Sequence, residues 1–278
     1  MLRDKNISYV YSSSGTEYTP FHFFNTALSN SIRFDLGLGF FSTASLNVLA
    51  VGFANFIVNG GNMRLYINQY MSEEDYSILS SSSQAEVNEL ILNDFNKLRQ
   101  TLSKRDKHFF NCLSYLISQQ RLEVKIIIPK SGGIAHQKFG VFTDDAGDKV
   151  AFSGSLNFTA SALLSKNIEA ISCATSWAGG EEQIAEYETL FNRFFNGQDS
   201  DIKVYDASEF KRELVRSFPP KDVSALLEEE QECIRAYSEN YDIISNSKST
   251  DEPHFPYPSG AFDYQIEAYH NWCKKGYG

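Results

Sequence analysis

Long apolar runs are missing from this 278-residue chain. No stretch approaches the roughly 20 apolar residues that a membrane-spanning helix needs. The opening Met1-Leu2-Arg3-Asp4-Lys5 has no apolar segment behind it, so no secretory signal is expected. Cysteine is scarce. The four thiols stand at 112, 173, 233 and 273, with no CxxC pair. That spacing suggests neither a zinc site nor a disulfide framework, and buried, reduced thiols fit a cytoplasmic protein. A GxxxxGK[ST] phosphate loop is absent, so the chain by itself is not expected to hydrolyse ATP. No repeat occurs at solenoid or propeller periods. Histidine is limited to five residues, at 22, 108, 136, 254 and 270.

An excess of positive charge is also missing, since the net charge is -10. Its distribution matters more than its total. Residues 222–252 hold nine acids against Arg235 and Lys248, a local charge of -7, whereas residues 1–221 carry only -3. A local basic groove is therefore compatible with the first 221 residues. Lys104, Arg105 and Lys107 form the clearest basic cluster. It reads either as a solvated helix end or as a substrate contact.

What is present in quantity is aromatic: 22 Phe and 15 Tyr, within a hydrophobic fraction of 42%. That is enough for a substantial core. Strand-like and helix-like patterns alternate, which predicts an α/β domain. Strands are expected at 33–42, 63–69, 122–129, 138–143, 149–153, 167–175 and 202–205. Helices are expected at 45–58, 73–80, 85–119 (with a break at 80–83), 181–196, 208–216 and 221–237. Asp144-Asp145-Ala146-Gly147-Asp148 reads as a hairpin turn. The Ser-, Asn-, Asp- and Pro-rich stretch 238–260 reads as a linker. His22, beside Phe21, Phe23 and Phe24, and His108, before Phe109 and Phe110, read as packing residues.

Two clusters carry chemistry: His136-Gln137-Lys138, and eighteen residues later Gly154-Ser155-Leu156-Asn157. A histidine can form a covalent intermediate. A fixed lysine neutralises phosphoryl oxygens, and Ser and Asn donate hydrogen bonds to them. That is a parts list for attack on a phosphodiester, and it requires no metal. Strand alternation puts His136 and Lys138 on one face.

The segment from His136 to Glu169 resembles the phospholipase D superfamily. Its pattern is His-x-Lys, four residues, Asp, then Gly-Ser-x-Asn and a later Glu. The matches are His136, Lys138, Gly154, Ser155, Asn157 and Glu169. The Asp position falls on Thr143, with Asp144 one step later, which weakens any claim for a role of Asp144. The resemblance implies a phospholipase D-like fold of α/β class: a mixed β-sheet flanked by helices on both faces, with a helical C-terminal extension. It implies that His136 attacks phosphorus while Lys138 and Asn157 stabilise the non-bridging oxygens, with Ser155 and Gly154 nearby. Glu169 would fix the tautomer of an imidazole. The reaction also needs a second histidine as acid and base. No other histidine here has a lysine two residues on. Single-motif members of the superfamily share one site across a two-fold axis, so a homodimer through the active-site face is expected.

Phe262 to Ala268, with Trp272 and Gly276-Tyr277-Gly278, resembles the segment before the ATP-binding loop of superfamily 2 helicases. Phe262 and Gln265 would meet adenine there, if the helicase half were present. The same tail also reads as an ordinary amphipathic helix. The expected organisation is a nuclease domain over 1–220, an acidic helical extension over 221–237, a linker over 238–260 and the start of a helicase-like domain over 261–278. The function expected is metal-independent cleavage of DNA, without cofactor, in a restriction or anti-phage helicase-nuclease. A non-catalytic DNA-docking or dimerisation module and a phospholipid phosphodiesterase or transferase are the alternatives. No membrane partner is expected.

Overall fold

Alternation in the strands and apolar stripes on the helices dictate the layers. In the computed structural model, residues 1–13, 18–38, 50–68, 83–130, 138–154 and 170–247 are described, with side chains to 238. Met1–Arg235 is one compact unit and Ala236–Gly278 is a second.

Eight strands form one mixed sheet: β1 (Val10–Ser12), β2 (Arg33–Leu38), β3 (Asn62–Asn68), β4 (Leu122–Pro129), β5 (Lys138–Thr143), β6 (Lys149–Gly154), β7 (Ala170–Thr175) and β8 (Ile202–Asp206). Their order is β1-β7-β6-β5-β2-β3-β4-β8. β2, β3 and β4 are parallel to one another, and β5 joins β2 antiparallel. The remaining neighbours are all antiparallel.

The helices are unequally divided between the faces. One face packs under α1 (Pro20–Ser29), α2 (Phe53–Val58), α3 (Gln84–Arg99), α4 (Lys104–Ser118), α6 (Ser208–Ser217) and the start of α7 (Val223–Ser247). The other packs under α5 (Glu181–Phe195). β4 shows why both faces are dry. Val124, Ile126 and Ile128 feed the large core, and Ile127 feeds the α5 core. A strand buried on both sides reads as a continuous apolar run. The aromatic surplus is spent on the large core. Phe34 stacks on Phe142 at 4.1 Å, and Phe24 meets Phe152 edge-on at 4.9 Å.

Each side of the sheet holds a buried ionic centre among the described residues. Under α5, Asp35 of β2 accepts from Arg64 Nε and Nη2 of β3, at 2.7 and 2.6 Å. Arg64 Nη1 donates to Asn192 of α5 at 3.0 Å, and its guanidinium lies 4.9 Å from the Phe191 ring centre. A bidentate carboxylate and an aromatic face use the whole planar fork.

On the opposite side, α7 is clasped to α2 and α4. Glu230, fully buried, accepts from Ala54 N and from Asn55 Nδ2, both at 2.8 Å. His108 of α4 lies 3.1 Å from Glu229 and 3.6 Å from Glu230. Burial alone would depress the imidazole. Cys112 and the two carboxylates outweigh it and raise His108 above its ordinary value. Glu229 is pulled the other way. Burial raises it, but His108, Lys221 and Asn111 bring it down to about 2.

These contacts bear on three sequence expectations. The acidic stretch 221–237, read as a helical extension, lies largely within α7, and its Glu230 enters the core at the start of α2. Helix α7 runs to Ser247, through residues expected to begin a linker. His22 is exposed on α1, with its Nδ1 2.9 Å from Thr19 Oγ1, because the helical period turns Phe21, Phe23 and Phe24 inward instead. His108 is buried as expected, though in an ion cluster rather than in plain apolar packing. Cys112, Cys173 and Cys233 are buried free thiols, and Cys273 lies outside the described residues. The expected helix 73–80 also lies outside them.

Truncating one side of a buried ion pair strands the other. Glu230→Ala is expected to cost about 3–5 kcal/mol in urea unfolding. The cluster's pH dependence has a defined sign. His108 contributes fully below its ordinary 6.5 and loses that contribution as pH rises towards its raised folded value. Glu229 contributes fully above 4.5 and loses it as pH falls towards 2. The stability gap between wild type and Glu230→Gln should therefore be widest between pH 4.5 and 6.5. A gap that grew steadily towards pH 9 would contradict the cluster's charge assignment.

Candidate functional site

The sheet has one rim at which the carboxyl ends of β2, β3 and β4 meet the amino end of β5. In open α/β sheets, ligand sites favour the carboxyl ends of parallel strands. Lys138 opens β5 at this rim and is paired with Gly154, the last residue of β6. Gly154 is in turn paired with Ile171, and Ala170 opens β7. Three neighbouring strand ends, spaced about 4.8 Å apart, thus carry the sequence positions that adjoin His136, Ser155 and Glu169. His136, Ser155, Asn157 and Glu169 lie outside the described residues, as do Phe262 and Gln265.

Lys138 is 92% buried. Alternation places it on the face of Gly140 and Phe142, the face of the large core. A Cβ on Gly140 would meet Phe152 at 2.7 Å and Phe34 at 2.9 Å, which fixes that facing. Gly154 is required by packing. A Cβ there would stand 2.6 Å from the Ala170 carbonyl oxygen of the adjacent strand. Ser153, one residue earlier, faces the other way and accepts a hydrogen bond from Tyr187 of α5 at 2.8 Å. Tyr187 of α5 therefore anchors the strand that delivers Gly154.

Asp144 has a different duty. It lies at the far end of β5 from Lys138, about 17–20 Å away at strand rise. Its Oδ1 accepts from Ala146 N at 3.0 Å and Asp148 N at 2.9 Å, closing the hairpin turn. Its Oδ2 accepts from Leu2 N at 2.7 Å. This buried carboxylate organises the β5–β6 turn and pins the N-terminus.

Asn68, the last residue of β3, carries no sequence signal that would mark it. It is fully buried at the same rim, and among the described residues neither its carboxamide oxygen nor its nitrogen has a hydrogen-bond partner. Such groups are rare in native interiors. By alternation it shares Tyr66's face, the one under α5.

Lys104, Arg105 and Lys107 sit in the first turn of α4. Ser103 and Asp106 form a capping box there, with Asp106 turned inward and 99% buried. Burial raises the Asp106 carboxyl, while its hydrogen bonds with Ser103 and the charge of Arg105 act to lower it. Three cations in a first turn oppose the helix dipole. Among the described residues, no group of three or more His, Cys, Asp or Glu could hold a metal ion. No described helix is long and apolar enough to cross a membrane.

Comparison with known proteins finds a match to part of the chain. Residues 63–195 match the family described as cardiolipin synthase, PLD-like domain. No curated protein matches the chain. Among solved structures, a phospholipase D family member, Nuc from Salmonella typhimurium, matches with 11% identity and a TM-score of 0.37. The match covers 71% of this chain and 96% of that one.

The tight approach at Gly154 sets an expectation. Gly154→Ala should destabilise the fold by about 1–3 kcal/mol, the usual range for overpacking a closed site. Unfolding midpoints unchanged from wild type would mean that β6 and β7 separate at no cost.

Proposed function

We propose that this chain, whose residues 63–195 match a PLD-like domain, cleaves DNA phosphodiester bonds without a metal ion, through a phosphohistidine. One observation carries most weight. The register Lys138–Gly154–Ile171 gathers three strand ends next in sequence to every residue of the motif. The strand ends that flank the motif in sequence are neighbours at one rim, which supports this reading.

The chemistry assigns each group a task. A neutral His136 imidazole nitrogen donates its electron pair to phosphorus, and the P–O bond to one DNA segment breaks. The departing oxygen takes a proton from a second histidine, a positioned acid near its working pH. That histidine then removes a proton from water, whose oxygen attacks phosphorus and breaks the P–N bond. Lys138 and Asn157 hold the non-bridging oxygens, with Ser155 and Gly154 beside them. Glu169 accepts from an imidazole N–H and orients it. No cofactor enters this scheme.

The second histidine is assigned to another copy of the chain, as a homodimer about the rim. Two facing imidazoles titrate as a coupled pair, one neutral and one charged, which suits one base and one acid. DNA as substrate, and a parent protein of restriction or anti-phage helicase-nuclease type, rest on the helicase-like residues 262–278. ATP would belong to the helicase part alone. The description of the matching family favours one second reading, a phospholipid phosphodiesterase or transferase. That reading predicts liposome binding and turnover of a phospholipid.

The decisive assay is cleavage of plasmid and single-stranded DNA in EDTA. Wild type is expected to cut and His136→Ala to lose at least a thousandfold in rate. Cutting only with added magnesium would overturn the phosphohistidine scheme, and equal cutting by both proteins would remove His136 from it. Light scattering should find a dimer; an active monomer would refute the shared site.

A further inference from the structure

The cations at the helix ends are not scattered around the molecule. Helix α4 leads into β4, with Arg121 between them bonded to Gly61 and Ile57. Its last turn therefore lies at the amino end of β4, and its first turn at the rim of Lys138. Fifteen residues rise about 22 Å, close to the length of β4. Helix α3 starts beside β8's far end, where Gln84 bonds to Asp206. It finishes beside the end of α6, where Arg99 donates to Ser217. The ends of α3 and α6 and the beginning of α4 thus share the rim.

Those ends are cationic within a chain of net charge -10. Lys97, Arg99, Lys104, Arg105 and Lys107 fall within eleven residues whose only acid is Asp106. Asp106 faces inward. Arg216 joins them from α6, and Glu213 is shared between it and Arg99. Lys104 and Lys107 are exposed and have no ion-pair partner among the described residues. Arg105 has a buried Nη1 without a hydrogen-bond partner among the described residues. The dipoles of α3 and α6 favour Lys97, Arg99 and Arg216 in their last turns, but Lys104, Arg105 and Lys107 in the first turn of α4 work against its dipole. A bound polyanion would offset that cost.

We infer that the α3–α4 junction and the end of α6 form a track for the phosphates of a DNA strand leaving the reacting site. This rests on the reading of the rim given under Proposed function and extends it to the size of the substrate. β5 and β4 are three strand spacings apart, roughly 14 Å. At about 3.4 Å of axis per phosphate in one strand, the track begins about four nucleotides from the reacting phosphate. A single lipid headgroup does not span that distance, whereas a polynucleotide does.

The test is binding of a labelled 20-nucleotide DNA by the full chain carrying His136→Ala, which prevents consumption of the probe. Anisotropy is followed across a potassium chloride series for that protein, for Lys104→Glu/Lys107→Glu, and for Lys107→Glu alone. Lys5→Glu is the matched control, because the N-terminus is tied to the hairpin turn at the opposite edge through Leu2 and Asp144. The double reversal is expected to weaken binding at least tenfold and to flatten the slope of log Kd against log salt by about 1.4–1.8, for two phosphate contacts. An unchanged slope would overturn the track. So would equal losses from Lys5→Glu and Lys107→Glu, which would mean that only net charge matters. A loss of affinity for cardiolipin-containing vesicles with unchanged DNA binding would reassign the surface to lipid and overturn it as well. A track that binds DNA in a protein that cuts nothing would leave this inference standing and remove the nuclease reading. A protein that cuts but binds DNA independently of Lys104 and Lys107 would do the reverse.

Discussion

The antiparallel joint between β2 and β5 is the constraint on which the rest depends. On one side of it lie the parallel strands β2, β3 and β4, and on the other the meander β5-β6-β7. Only with β5 reversed against β2 do carboxyl ends from one half meet the amino end of β5 and the closing residue of β6. A one-residue slip would turn Lys138 and Phe142 to the opposite face. The joint is locked by contacts that tolerate no slip. Phe34 stacks on Phe142, and Gly140 leaves just enough room for Phe34 and Phe152.

Two ionic centres hold the helical layers to this joint, and they solve burial differently. Asp35 and Arg64 satisfy each other with two parallel hydrogen bonds, and Asn192 takes up a further guanidinium nitrogen. Glu230 has no single counter-ion of that kind. It divides its oxygens among a helix-start N–H, an asparagine and His108. A carboxylate at a helix start also meets the positive end of the peptide dipoles. The chain's acidity after residue 221 is thus partly a fastening of α7 onto α2 and α4.

Much of the sheet was legible because its signals are local. The run Leu122–Pro129 is β4 as read, and the turn residues 144–148 separate β5 from β6 as read. The face of α5 follows from its apolar period, with Ile184, Phe191 and Phe195 buried. Legibility failed where the cause is distant in sequence. Glu230 is buried by a partner 176 residues away, and no local pattern distinguishes it from its acidic neighbours. β1 has three residues, too few for alternation to show. Helix α1 hides its period in consecutive aromatics, so His22 looked internal. At the site, the clusters around Lys138 and Gly154 were visible as a motif. Asn68 was not, because an isolated Asn at a strand end resembles any turn residue.

The glycine at 154 separates two kinds of inheritance. A β-carbon there would press on the Ala170 carbonyl whether or not the protein performed any chemistry. Selection for a folded sheet is enough to retain it. A descendant lineage that abandoned catalysis and kept the scaffold would preserve Gly154 and Gly140 while its histidine and asparagine drifted. Among relatives, the glycine would therefore record the scaffold alone, whereas His136 and Asn157 would follow the proposed chemistry.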